Sequence, residues 1–102
     1  MSLDYRSENL YPIVKTFTAT QTATEVQIPK TCLKVTIGCE QHEIYWSQVG
    51  TDGQLLGAHK AYLEGGAYMQ ITLGRGKNRS SSIYIATKSS SSALVTLIFE
   101  EG

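Results

Sequence analysis

The chain offers few side chains that could do chemistry, and its two cysteines are the most reactive of them. Cys32 and Cys39 bracket a run of alternating apolar residues that is typical of a β-strand. A straight strand rises about 3.3 Å per residue, which would set their Cα atoms about 23 Å apart. A disulfide needs less than about 7 Å. The spacing therefore predicts two free thiols, which fits a reducing compartment.

Histidine and carboxylate side chains do not complete a recognisable site either. A metal site normally needs four ligands, and beside the two cysteines the sequence has only two histidines, His42 and His59. Cys39, His42 and Asp52, together with many serines, supply the residue types of a nucleophilic triad, but no nucleophile elbow or other local signature accompanies them. We predict no catalytic, cofactor-binding or metal-binding residues, and hence a protein that is not an enzyme.

A basic cluster lies in the segment from Gly74 to Ser82. Arg75, Lys77 and Arg79 are three of the nine basic residues of the chain, and such a loop could contact an anion or an acidic partner. No helix is predicted directly behind it, although phosphate-binding loops usually lead into one. The pattern favours a solvated hairpin loop, with anion or partner contact as the alternative.

The elements that would position these residues are short alternating runs separated by Gly, Pro, Ser and Asn. This pattern predicts an all-β domain, an antiparallel β-sandwich or jelly-roll-like barrel of seven to eight strands. Gly38 is expected to end the third strand. Residues 55–63 suit either a short helix or an irregular strand, and the neighbouring glycines favour the strand. The runs predicted as strands cover residues 13–19, 25–28, 33–37, 42–49, 55–63, 68–73, 83–87 and 93–99.

Length and charge set the organisation of the domain. The 102 residues fit one domain over 13–100, preceded by an N-terminal arm over 1–12. Residues 1–3 and 101–102 are similar to expression-vector remnants. Nine basic residues balance nine acidic ones, which favours neither a nucleic-acid nor a membrane partner. No apolar run is long enough to span a membrane, and no signal peptide is visible.

Several apolar and aromatic residues fall on the outward phase of their strands. Trp46 shares its phase with Ile44 and is expected in the core. The neighbouring Tyr45 must then point the opposite way, so the two rings cannot form one flat sugar-stacking surface. The last strand is apolar on both faces. Tyrosine is enriched in protein interfaces, and we predict an interface that includes Tyr45, Tyr68, Tyr84, Leu94 and Ile98.

The C-terminal third carries a family resemblance. Leu63-Glu64-Gly65-Gly66 leads into a strand, and Ile83-Tyr84-Ile85-Ala86, a serine-rich turn and Leu94-Val95-Thr96-Leu97-Ile98-Phe99 follow. Over residues 63–100 this resembles the closing hairpin of small β-sandwich virion proteins of tailed phages, of the head-decoration or fibre-base type. The resemblance implies a non-enzymatic structural protein, located in the virion or the host cytoplasm. It also implies contacts with other virion proteins and a homo-oligomer, with a trimer expected.

Two other classes remain as alternatives. A carbohydrate-binding β-sandwich module would need a coplanar aromatic pair or an acidic calcium site, and the chain has only two aspartates. A lyase or hydrolase of jelly-roll type would need clustered histidines, and there are two. The resemblance over residues 63–100 favours the interpretation as a particle protein over these two alternatives.

Overall fold

The structure, a computed structural model, describes residues 11–74, 80–88 and 90–101. It confirms the predicted all-β class, since the described residues form eight strands and no helix. The described residues therefore include no helix able to cross a bilayer. Most of the predicted arm (residues 1–10) and the basic loop with Arg75, Lys77 and Arg79 lie outside the described residues. The strands are β1 (Ile13–Ala19), β2 (Thr24–Gln27), β3 (Lys34–Glu40), β4 (Ile44–Ser47), β5 (Ala61–Leu63), β6 (Tyr68–Thr72), β7 (Ser82–Thr87) and β8 (Ala93–Glu100).

The strands form two four-stranded sheets that pack face to face. Sheet A has the order β1-β8-β3-β6, and sheet B has the order β2-β7-β4-β5. Every neighbouring pair is antiparallel. This interleaving of early and late strands is the order of a jelly roll, an eight-stranded double Greek key. It confirms the predicted sandwich.

The core lies between the sheets and follows the period-2 alternation of the strands. Inward positions of β3 and β8 in sheet A face inward positions of β4 and β7 in sheet B, as expected when apolar side chains alternate with polar ones. The largest side chains that are almost completely buried are Phe99, Ile37, Ile44, Ile83, Ile85 and Leu97.

Trp46 connects the two layers at the side of the sandwich. It is half-buried and packs against the core, as its phase predicted. Its indole Nε1 lies 3.0 Å from Sδ of Met69, so the N–H of a sheet B residue points at the sulfur of a sheet A residue.

Three strands differ from the sequence-based expectation by more than one residue at an end. Gly38 does not end β3, because it pairs with Tyr68 on one side and Thr96 on the other. The fourth strand is shorter than predicted and covers only Ile44–Ser47. Within residues 55–63 only Ala61–Leu63 forms a strand, and residues 55–60 are irregular rather than helical.

Neither cysteine forms a disulfide, and both are buried. The Cys32 thiol donates a hydrogen bond to the backbone oxygen of Lys34 at 3.1 Å, and the Cys39 thiol donates to that of Glu64 at 3.1 Å. Desolvation raises the pKa of the Cys39 thiol, and the nearby Glu43 carboxylate raises it further. A thiol held protonated in this way is a poor nucleophile.

This burial predicts a strong difference in alkylation between the folded and unfolded protein. With iodoacetamide at pH 8, neither Cys32 nor Cys39 should react appreciably in the folded state, because both are enclosed and thiolate is the reactive form. In 8 M urea without reductant, mass spectrometry should find both modified. A disulfide between Cys32 and Cys39 would contradict the placement of β3.

Candidate interaction surfaces

The outer face of sheet A is a continuous surface because the register aligns its outward residues in rows. One central row runs Val14, Ile98, Thr36 and Gln70 across the four strands. The next row runs Thr16, Thr96, Gly38 and Tyr68. Charged residues occur only in the two flanking rows, as Glu40 at one end and Lys34 and Glu100 at the other.

Exposed apolar side chains lie on this outer face. Val14 is 58% exposed, Leu94 is 42% exposed and Tyr68 is 61% exposed, while Ile98 between them is partly covered. Threonines fill most of the remaining central positions. A sheet face without charge at its centre resembles the centre of a protein interface more than ordinary protein surface, because charged residues are depleted there.

Gly38 shapes the middle of this face. A Cβ built on Gly38 would lie 2.2 Å from Cε2 of the Tyr68 ring, so the ring lies directly against the glycine backbone. Because Gly38 has no side chain, the Tyr68 ring can pack against the surface of the sheet instead of projecting away from it. This explains why the strand continues through a glycine, which usually weakens a strand interior.

The outer face of sheet B has a different chemistry. Tyr45 and Tyr62 are cross-strand partners whose ring centroids lie 5.9 Å apart at an interplanar angle of 60°. Lys60 Nζ lies 4.8 Å from the centroid of Tyr45, and Lys88 Nζ lies 5.9 Å from that of Tyr62. These are cation–π distances. The rings are tilted and flanked by ammonium groups, so they do not form a flat platform for a sugar.

The connection from β4 to β5 crosses the outer face of sheet B. A Cβ on Gly50 would lie 2.9 Å from Cγ of Tyr84, so the connection passes close over that ring. The Tyr84 hydroxyl donates a hydrogen bond to Glu25 at 3.3 Å. Desolvation and the Glu25 carboxylate raise the pKa of Tyr84, which keeps the donor protonated. At the edge of β2, Asp52 Oδ1 accepts the backbone N–H of Glu25 at 2.9 Å.

The five residues predicted as an interface therefore divide between two surfaces. Tyr68, Leu94 and Ile98 share the outer face of sheet A. Tyr45 and Tyr84 lie on the outer face of sheet B, where intrachain contacts engage both. The sequence prediction did not include Val14 and Gly38. The outward phase of Val14 was a usable signal, whereas nothing local to Gly38 indicated the ring that covers it.

The residues that could have formed a catalytic or metal site take part in structural contacts. Cys39 donates to the Glu64 carbonyl, and Asp52 caps the backbone of Glu25. Over the described ranges, no group of three or more His, Cys, Asp or Glu side chains is arranged to hold a metal ion.

Comparisons with protein-family models, with curated proteins and with solved structures found no match to this chain. The interpretation of its surfaces therefore depends on their own geometry and chemistry.

The contact between Gly38 and Tyr68 predicts a change of sign in a double-mutant cycle. In the natural background, Gly38→Ala should lower the melting temperature, because the new methyl group displaces the Tyr68 ring. In a Tyr68→Ala background the same substitution should raise it, because alanine restricts the unfolded chain more than glycine does. Thermal unfolding followed by circular dichroism measures both. A rise in both backgrounds would show that the ring contact contributes nothing to stability.

Proposed function

We propose that this protein is a non-enzymatic structural or assembly component of a phage or prophage particle. In this proposal it acts through protein–protein contacts made by the outer face of sheet A. The observation that carries the proposal is the uncharged centre of that face, where Val14, Ile98 and Tyr68 lie among threonines. The jelly-roll order adds support by analogy only, since capsid and lectin domains both use it.

The chemistry of the face favours a protein partner. Most of its central side chains are short, β-branched or aromatic, and these lose little conformational entropy on contact. The rim carries Lys34 and Glu100 as direct cross-strand neighbours, which gives a second copy both signs of charge to pair with. We propose a homo-oligomer in which the outer faces of sheet A pack against each other, with further contacts to other virion proteins.

A carbohydrate-binding module is the weaker candidate. It would use the only cross-strand aromatic pair on the outer face of sheet B within the described residues, Tyr45 and Tyr62. Their 60° tilt and the Lys60 ammonium over Tyr45 leave no flat ring face for a sugar to stack on.

The genes encoded on either side test the assignment to a particle. Capsid, portal or tail genes next to this gene would support it. A neighbourhood of polysaccharide-degrading or transport genes would contradict it and favour the carbohydrate-binding alternative.

A charge placed at the centre of the outer face should weaken self-association. Ile98 lies in a central row between Val14 and Thr36, and Ile98→Lys would bring an ammonium group into the contact, where it must lose water without a partner. Light scattering at micromolar concentration should show the natural protein as a multiple of the 11.2 kDa chain and the variant as a smaller species.

Val49→Lys is the matched control, because Val49 is 79% exposed and lies in the connection on the sheet B side. It should leave the mass unchanged. Circular dichroism would establish that both variants are folded. A natural protein that scatters as a monomer, or an Ile98→Lys variant of unchanged mass, would overturn self-association through this face.

A further inference from the structure

The longest open strand edge of the described molecule belongs to β1. The sheets end at β1 and β6 in sheet A and at β2 and β5 in sheet B. β1 has seven residues, whereas β6 has five, β2 has four and β5 has three. Over the described ranges β1 forms a strand ladder only with β8. An open edge of this length presents unpaired N–H and C=O groups to which another strand can bond.

Within the part of the chain that the structure describes, a connection covers the neighbouring edge of sheet B, whereas no loop covers the edge of β1. Ala23, next to the start of β2, donates its N–H to Gln54 at 2.7 Å and accepts the N–H of Gly53 at 2.8 Å. The Glu25 N–H is bonded to Asp52. The connection between β4 and β5 therefore occupies the edge of β2. None of the hydrogen bonds of the described loops and side chains involves a residue of β1.

Backbone geometry leaves few ways for β1 to pair with a second copy of itself. In an antiparallel pair, two opposite residues direct their N–H and C=O groups either both toward each other or both away from each other, and the two kinds of pair alternate along the strand. A register that places a residue opposite its own sequence neighbour is therefore excluded. A two-fold pairing must be centred on a residue, and the central candidates are Lys15, Thr16 and Phe17.

The side chains that would lie opposite each other decide which of these three registers is favourable. Centring on Lys15 sets two ammonium groups directly opposite each other, which is destabilising. Centring on Phe17 leaves Ile13 and Val14 of each copy without partners within β1. Centring on Thr16 pairs the whole strand, with Ile13 opposite Ala19.

The inner and outer faces of the Thr16-centred pair are both compatible with contact. On the inner face, Lys15 of one copy lies opposite Phe17 of the other, which allows a cation–π contact. Lys15 already adopts such a position in one chain, with its Nζ 5.8 Å from the centroid of Phe99. On the outer face, Val14 lies opposite Thr18 and Thr16 opposite Thr16, so no charge is buried. Two grooves of about 470 and 360 Å³ run beside β1 and β2 and leave room for the partner's side chains.

We propose that a second copy of this chain adds to sheet A at β1, antiparallel and with the two-fold axis at Thr16. The two four-stranded sheets then form one eight-stranded sheet. The outer face of one sheet A measures about 19 by 23 Å, or about 440 Å², from the spacing of strands and residues. A standard interface buries about 800 Å² per partner. Pairing at β1 doubles the face and brings it to that size.

This contact is separate from the face-to-face packing proposed above and does not require it. It produces pairs of chains, and thus an even number of subunits, rather than the trimer expected from the resemblance. If both contacts form, two eight-stranded sheets stack into a tetramer with three two-fold axes, a common closed symmetry.

Single-cysteine variants test the register directly. Thr16→Cys should form a disulfide-linked pair of chains on mild oxidation, seen by non-reducing electrophoresis, because its two copies face each other across the axis. Val14→Cys and Thr18→Cys should each fail alone, since identical positions would lie about 13 Å apart, beyond the reach of a disulfide. An equimolar mixture of these two variants should cross-link. The natural Cys32 and Cys39 are buried, so they are not expected to form cross-links between chains in this experiment.

The same experiment in an Ile98→Lys background separates this contact from the packing of outer faces. Cross-linking of Thr16→Cys should persist there, even where light scattering shows that the larger assembly has been lost. The proposal is overturned if Thr16→Cys stays monomeric on the gel at 100 µM protein. It is also overturned if Val14→Cys alone links as efficiently as Thr16→Cys.

Discussion

The structure depends on the insertion of β8 between β1 and β3. β8 is the last of the described strands, yet it pairs along its length with β1 on one side and with β3 on the other. Val95, Leu97 and Phe99 are completely buried through this position. Sheet A therefore cannot be completed until residues 93–100 are present. Folds dominated by such distant pairings form slowly, because loop closure costs entropy before the contacts stabilise it.

Insertion of β8 also explains why the last strand is apolar on both faces. Its inward residues fill the core, while Leu94 and Ile98 lie on the outer face of a central strand rather than at an edge. Sheet A thereby presents an outer surface that is uncharged at its centre, whereas the outer surface of sheet B carries Glu25, Lys60 and Lys88 around its tyrosines. The two outer surfaces of the sandwich therefore differ in their distribution of charge. The asymmetry arises from topology, since no charge difference between the two halves of the sequence indicates it.

Periodicity was sufficient for some elements and insufficient for others. β1 was predicted with its observed bounds, Ile13–Ala19, because its alternation is unbroken and turn residues flank it. Gly38 was wrongly taken as a strand end, since glycine usually marks one and the Tyr68 ring that compensates lies thirty positions later in the chain. The outward phase of Tyr45, Tyr68 and Tyr84 was predictable. Their division between two surfaces was not, because a period of two gives the face of a strand but not the sheet to which it belongs.

The contact of Trp46 with Met69 gives the protein an internal optical reporter. Trp46 is the only tryptophan, and its indole N–H points at a sulfur in the opposite layer. Its fluorescence therefore responds to separation of the two sheets rather than to fraying of a single strand. Oxidation of Met69 to the sulfoxide would replace a soft acceptor with a strongly polar one. The emission wavelength would then register oxidative damage at the junction of the layers before the β-sheet signal of the backbone changes.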